Sequence, residues 1–330
     1  MRVGEKGLIT VRLSPAGLHT QIIGMTPGGK GEWGNCRFVV EAEECDWWVV
    51  DEKLRERERA RVPRGHTILI TAEPPSIKSY QPGYIRQFST VVTCHKGLNH
   101  PHVLNQQQAL PWMVGRDFAK MARPGYSISY DDLKAMGKGS FLKEKELSVI
   151  SSNKNFIEGH RQRTAFAKAL ESHFQERIEV FGRGFRDVGD KWEAIAPYKY
   201  HVSLENSSHQ DYWTEKLSDA YLGAALPLYY GCPNLEDYFS RGSFIPIDIR
   251  DIEGSINTIE HAIETNAYER SLEDIMVARE LVLDKYNLFA MLAEICGGQD
   301  DGSNKRTISL RPEATFGRTR AWLGRRLGRG

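Results

Sequence analysis

The sequence predicts an α/β protein built as two lobes, each a largely parallel sheet wrapped by helices. Three observations point there. At 330 residues the chain is too long for one comfortable core, so two domains of ordinary size are expected. Short continuous apolar runs, the mark of strands buried on both faces, recur along it. These runs alternate with helix-period segments in two successive series, separated by a polar stretch.

The first series comprises LITVRL (8–13), CRFVV (36–40), DWWVVD (46–51), HTILITA (66–72) and TVVTC (90–94). LRERERARV (54–62) reads as a solvated helix face, its glutamates interspersed among arginines, and not as a nucleic-acid patch. A connector rich in Gly, Lys and Ser covers 121–146 and is taken as the interdomain linker. The second series opens with the strand LSVISS (147–152) and the helix HRQRTAFAKALESHF (160–174). It continues through IEVFG (178–182), YHVSLE (200–205), LPLYY (226–230) and FIPID (244–248), and 254–296 is largely helical. Two such series suggest two facing Rossmann-like lobes with a cleft between them. The expected division is a first lobe over 1–140, a second with its helices over 141–296, and a tail over 297–330.

Composition excludes several classes. Hydrophobic residues are 40% and charged residues 26%, ordinary for a folded globular chain. The net charge of +1 conceals an asymmetry: from Lys305 onward eight Lys or Arg face one acid, a local +7 that leaves the remainder near −6. An acidic body with positive charge confined to the tail argues against nucleic acid as a partner. Neither a signal-peptide stretch at the N-terminus nor an apolar run of about eighteen residues is present in the sequence. Five scattered cysteines without CxxC spacing fit reduced thiols. The expected location is cytoplasmic.

The segment HVSLENSSHQDYWTEKLSDAYLGAALPLYYG (201–231) carries the chemistry. A helix over 212–224 with Asp211 as its N-cap places Leu217, Ala220, Tyr221 and Ala224 on one apolar stripe. Tyr212, Glu215 and Lys216 then share the opposite face near the helix N-terminus, where free N–H groups favour an anion. Lys216 adds a positive charge for phosphate, and Glu215 can accept bonds from sugar hydroxyls. Glu205 and Asn206 close the preceding strand, at the carboxyl end where ligands bind in such sheets. Spacing alone is equally met by a capped surface helix with an incidental ion pair.

The run from Tyr198 to Ile247 closely resembles the donor-binding signature of the α-1,3/4-fucosyltransferase family. Its elements stand here in order: Glu205-Asn206-Ser207, Asp211-Tyr212 with Thr214-Glu215-Lys216, Pro227 with Gly231, and Gly242-Ser243-Phe244-Ile245. About fifty residues in register is far more specific than a lone glycine motif. The resemblance implies a GT-B architecture of two Rossmann-like lobes with a C-terminal helical region. It implies GDP-fucose as donor, inversion at the anomeric carbon, and no cofactor or essential metal. It assigns Lys216 to the donor diphosphate and Glu215 to the ribose, with Glu205, Asn206 and Tyr212 in the donor site.

Upstream, SSNKNFIEGHRQRTAFAKAL resembles the family's strand end and arginine-bearing helix, which makes Arg163 the second phosphate contact and Arg161 its competitor. In the first lobe, ITAEPPS (70–76) resembles the family's strand-end glutamate element, so Glu73 is the candidate general base; Pro74 and Pro75 end the strand there. Two departures stand out. Trp213 occupies a place where a small aliphatic residue is common, which leaves another GDP-sugar as an alternative donor, and the glutamate element reads EPP. A sugar-nucleotide-binding protein without catalysis is the alternative of a different class.

Two further signals compete. Cys94, His95, His100 and His102 invite a zinc reading, but their spacing matches no usual paired-ligand pattern, and a histidine loop near the acceptor fits better. PGGKGEWGN (27–35) lacks the ending of a phosphate loop and reads as a turn. In the tail, Phe316, Leu323 and Leu327 share a face with Trp322 at its edge among Arg318, Arg325, Arg326 and Arg329. That composition suits an anionic membrane surface, and relatives with basic amphipathic ends suggest an oligosaccharide or lipid-linked glycan as acceptor. The expectation is an enzyme peripheral to the inner membrane.

Overall fold

A computed structural model describes residues 7–15, 20–116, 127–151, 158–298 and 304–317. It divides into two compact units, residues 1–108 with 289–330, and residues 109–288.

The first unit holds β1 (Ile9–Pro15), β2 (Glu32–Trp33), β3 (Cys36–Val39), β4 (Trp47–Asp51), β5 (Glu58–Pro63), β6 (Thr67–Ile70), a short α1 (Pro82–Ile85), β7 (Thr90–Thr93) and β8 (Val103–Asn105). Seven of these strands form one sheet in the order β2-β3-β1-β4-β6-β7-β8, parallel except for the β2–β3 hairpin. PGGKGEWGN supplies that hairpin's approach, with Gly28, Gly29, Gly31 and Gly34 at positive φ. Trp48, Val50, Leu69, Tyr84 and Val91 pack into one core under the sheet.

The second unit holds α2 (Tyr130–Ala135), β9 (Lys145–Ile150), α3 (Glu158–Phe174), β10 (Ile178–Phe181), α4 (Lys191–Ile195), β11 (Tyr198–Leu204), α5 (Glu215–Leu222), β12 (Leu226–Tyr230), β13 (Ile245–Pro246), α6 (Ile252–Glu264) and α7 (Ala267–Asp284). Its sheet runs β10-β9-β11-β12-β13 and every pairing is parallel. From β9 the chain crosses to β10 on one side, then returns past β9 to β11 on the other. The strand order therefore reverses between β9 and β11, and a crevice opens at such a point outside the carboxyl ends.

The units differ from the segments expected from composition. Residues 109–116 belong to the second unit, because Met113 and Val114 donate backbone N–H bonds to Asp219 and Gly115 donates to Asp190. Within the presumed linker lies α2, capped by a reciprocal Ser129–Asp132 box and held by Arg279, which donates to the Leu133 carbonyl. Residues 54–62 are not a helix face: Glu58–Pro63 is β5, with Ala60 and Val62 buried and Arg59 and Arg61 exposed. Its partner is distant in sequence. After α8 (Leu288–Gly297), the strand β14 (Lys305–Leu310) pairs antiparallel with β5, and α9 (Ala314–Gly317) follows. Lys305 forms ion pairs with Glu44 and Asp46, and Phe316 packs on the Tyr84 core, so the start of the basic tail is part of the first unit. Leu323, Leu327, Trp322 and the arginines from Arg318 onward lie outside the described residues.

Candidate donor site

The helix carrying Glu215 and Lys216 begins later than spacing predicts. Asp211 is not its N-cap: its backbone is left-handed at φ 60°, and its carboxylate accepts from Asn234 Nδ2 (2.8 Å) and the Tyr238 hydroxyl (2.7 Å). Thr214 caps α5 instead. The expected apolar stripe is present, with Leu217, Ala220, Tyr221 and Ala224 fully buried. Tyr212 is also buried and lies before the helix, so it does not share an exposed face with Glu215 and Lys216.

Beneath the cap sits Glu205, with no exposed surface. Its carboxylate accepts the Thr214 N–H (2.7 Å) and hydroxyl (2.8 Å), and Lys216 Nζ is 3.5 Å away. Burial pushes its pKa up against the pull of Lys216. Both oxygens are turned to the protein, so Glu205 holds the turn that presents Lys216. Gly231 makes room for it: a Cβ there would stand 2.5 Å from Glu205 Cγ and 2.4 Å from the Tyr229 hydroxyl. Asn206 follows, half-buried, beyond the strand end.

A cavity of about 320 Å³ opens where the strand order reverses. Its floor is Ile150 at the end of β9 and Ser151 after it, Gly182 after β10, and His201 to Leu204 of β11; its walls carry Arg163 of α3, Lys191 of α4, and Glu215, Lys216 and Asp219 of α5. Gly182 is required where it stands, at φ 112° with its Cβ position 1.9 Å from the Ser151 carbonyl. Arg163 lines the cavity, whereas Arg161 is exposed and does not. Arg163 reaches the Leu204 carbonyl at 3.4 Å and keeps a buried Nε donor without a partner, and burial lowers its pKa. An arginine so held is poised for an anion.

The cavity wall is a strip of alternating charge. Lys216 Nζ stands 3.1 Å from Glu215 Oε1, and Lys191 Nζ stands 3.7 Å from the same oxygen and 2.9 Å from Asp219 Oδ2. Burial alone would raise the Glu215 carboxyl; Lys216 and Lys191 outweigh it and hold the group down at about 2. Burial would likewise depress both lysines, and the carboxylates beside them instead hold them up. His201 is neutral, driven down to about 3 by burial, with Nδ1 2.8 Å from Ser148 Oγ. The arrangement offers fixed cations for phosphate and an ionised carboxylate for hydroxyl groups.

Lys191, Asp219 and His201 went unread in the sequence. One signal was available: Glu215 and Asp219 are like charges at i,i+4, which oppose a helix unless a cation stands between them. Trp213 does not line the cavity. It is 1% exposed and packs edge-on against Tyr238, Phe239 and Tyr286.

Glu73 belongs to the first unit. It is half-buried three residues past β6, where the Ala72 N–H donates to the Tyr80 hydroxyl and His95 Nε2 lies 2.8 Å from the Glu73 carbonyl. His100 is engaged with backbone carbonyls of Phe88 and His102. Among the described residues no group of three or more His, Cys, Asp or Glu is placed to hold a metal ion, and no helix is long and apolar enough to cross a membrane.

Residues 141–262 match the family model for glycosyltransferase family 10 (fucosyltransferase), C-terminal part. An alpha-(1,3)-fucosyltransferase of Helicobacter pylori is 32% identical over 136 residues, 38% of this chain and 27% of that protein. Alpha-(1,3)-fucosyltransferase 4 of Mus musculus is 35% identical over 132 residues, 37% of this chain and 29% of that protein. The chain thus spans under a third of the length of these relatives. A crystal structure of an alpha1,3-fucosyltransferase superposes with a TM-score of 0.51 at 17% identity, covering 87% of this chain and 94% of that one. That likeness shows the fold, two Rossmann-like units of GT-B type.

Proposed function

We propose that this chain, whose residues 141–262 match the family model for glycosyltransferase family 10 (fucosyltransferase), transfers fucose from GDP-fucose to a glycan hydroxyl, O3 of GlcNAc or glucose, with inversion and without an essential metal. The observation that carries the reading is the convergence of Arg163, Glu215 and Lys216 on one cavity at the switch point of the second unit. Arg163 and Lys216 bind the donor diphosphate, and Glu215 accepts from the ribose hydroxyls. The acceptor oxygen attacks C1 of fucose from the face opposite the diphosphate. Glu73 takes the hydroxyl proton, and the C1–O bond to the β-phosphate breaks with its electron pair leaving on GDP. Negative charge grows on that phosphate, where the two fixed cations stabilise it in place of a metal. The acceptor is an oligosaccharide or lipid-linked glycan, approached with the basic tail on an anionic membrane surface of the cytoplasmic side.

The test is GDP release from GDP-fucose with and without Galβ1-4GlcNAc, Galβ1-3GlcNAc and lipopolysaccharide-type acceptors. Acceptor-stimulated release is expected. Lys216→Ala lowers it about 10²- to 10³-fold and Glu73→Ala about 10²- to 10⁴-fold. Binding of GDP-fucose with no release from any acceptor would identify a sugar-nucleotide-binding protein, and preference for a different GDP-sugar would replace fucose as the cargo.

A further inference from the structure

We propose that Lys191 is a positioning residue of the donor site: anchored on Asp219, its ammonium fixes the Glu215 carboxylate for the ribose diol of a guanosine nucleotide. The inference rests on the ribose role given to Glu215 above.

Asp219 is the fixed point. It is 1% exposed, and its two oxygens are divided between distinct tasks. Oδ1 accepts the backbone N–H of Met113 (2.7 Å) and Val114 (3.1 Å), while Oδ2 accepts from Lys191 Nζ at 2.9 Å. A carboxylate tied on one side to main chain cannot swing, so it sets where the ammonium stands. From there Lys191 lies 3.7 Å from Glu215 Oε1 and Lys216 lies 3.1 Å from the same atom. Two cations on one oxygen fix the rotation of the carboxylate. The pair also cancels the repulsion between Glu215 and Asp219, which face each other one helical turn apart.

The competing role for Lys191 is a third phosphate contact. Its surroundings oppose that. The ammonium is engaged by two carboxylates, so the field at its position is negative on balance, whereas Arg163 keeps an unpartnered donor on the same cavity.

The experiment compares GDP with 2′-deoxy-GDP, and GDP with GMP, by calorimetric titration of the full chain. The proteins are the native one, Lys191→Met and Lys191→Arg, each checked by thermal unfolding. The native protein is expected to prefer GDP over 2′-deoxy-GDP by about 10-fold or more, the scale of a hydrogen bond to a charged group. In Lys191→Met that preference shrinks towards unity while the preference for GDP over GMP is retained, and Lys191→Arg restores the ribose preference. Lys191→Gln, which keeps a hydrogen bond to Asp219, serves the same comparison should methionine not be tolerated. Equal weakening of GDP and 2′-deoxy-GDP, or loss of the GDP over GMP preference, would overturn the positioning role. Failure of the native protein to bind GDP, or its indifference to the 2′-hydroxyl, would instead remove the donor-site reading and this inference with it.

Discussion

Thr214→Val removes one oxygen while keeping the side-chain volume, and its consequences follow from the contacts of that oxygen. The hydroxyl accepts the Lys216 N–H at 3.4 Å as the N-cap of α5, donates to Glu205 Oε2 at 2.8 Å, and lies 3.0 Å from Lys216 Nζ. Loss of the cap costs about 1 kcal/mol. Loss of a hydrogen bond to a buried carboxylate costs about 1.5–3 kcal/mol, since Glu205 has no exposed surface through which water could replace it. Together these predict a destabilisation of about 2.5–4 kcal/mol. At about 2 kcal/mol per molar of urea the unfolding midpoint falls by about 1–2 M. Thr214→Ser keeps the oxygen and stays close to the native midpoint. GDP affinity of the folded valine variant drops as well, because Lys216 loses one of the groups that aim it. Equal midpoints for the serine and valine variants would refute the reasoning, since the methyl group and not the hydroxyl would then carry the contribution.

Gly231→Ala places a carbon 2.5 Å from Glu205 Cγ and lowers stability by about 1–3 kcal/mol, read by denaturant unfolding; a neutral result would mean that the strand end moves freely. Trp213→Leu empties part of an aromatic cluster and costs about 3 kcal/mol, yet leaves the GDP-fucose dissociation constant of the folded protein within about 2-fold, as calorimetry can show. Asp51→Asn has a pH signature. Burial, helped by the charge of Glu52, raises the Asp51 carboxyl from 3.8 to about 7, so between those values the unfolded chain has lost a proton that the folded chain keeps. Stability contributed by this group therefore falls as pH rises through that window, and the gain in melting temperature from Asp51→Asn should grow from pH 4 to pH 7 and then level off. A gain independent of pH would contradict the assignment.

How much of this could be read in the chain depends on the range of the interaction. Strands buried on both faces announce themselves locally, and WWVV, TILI, TVV and LPLYY became β4, β6, β7 and β12. In β5 the charges mask a period of two: Arg59 and Arg61 are exposed, Ala60 and Val62 buried. Its partner β14 lies in the tail, and antiparallel pairing across such a separation leaves no local trace. The cap of α5 failed for a similar reason. Asp211 is a good cap by type, but Asn234 and Tyr238, remote in sequence, claim its carboxylate. Arg163 was favoured over Arg161 by its resemblance to a family element, and its place on the cavity follows from helix phase. Lys191 was missed because α4 is a five-residue helix with little periodicity to read.

The central claim is that the donor nucleotide occupies the cavity between the ends of β9 and β11. A crystal structure of the protein with GDP bound tests it most directly. The account predicts the diphosphate against Arg163 and Lys216, with a ribose hydroxyl within hydrogen-bond distance of Glu215 Oε2. A nucleotide seated elsewhere, for instance among Tyr230, Arg241 and Arg250 beyond β12, would contradict it.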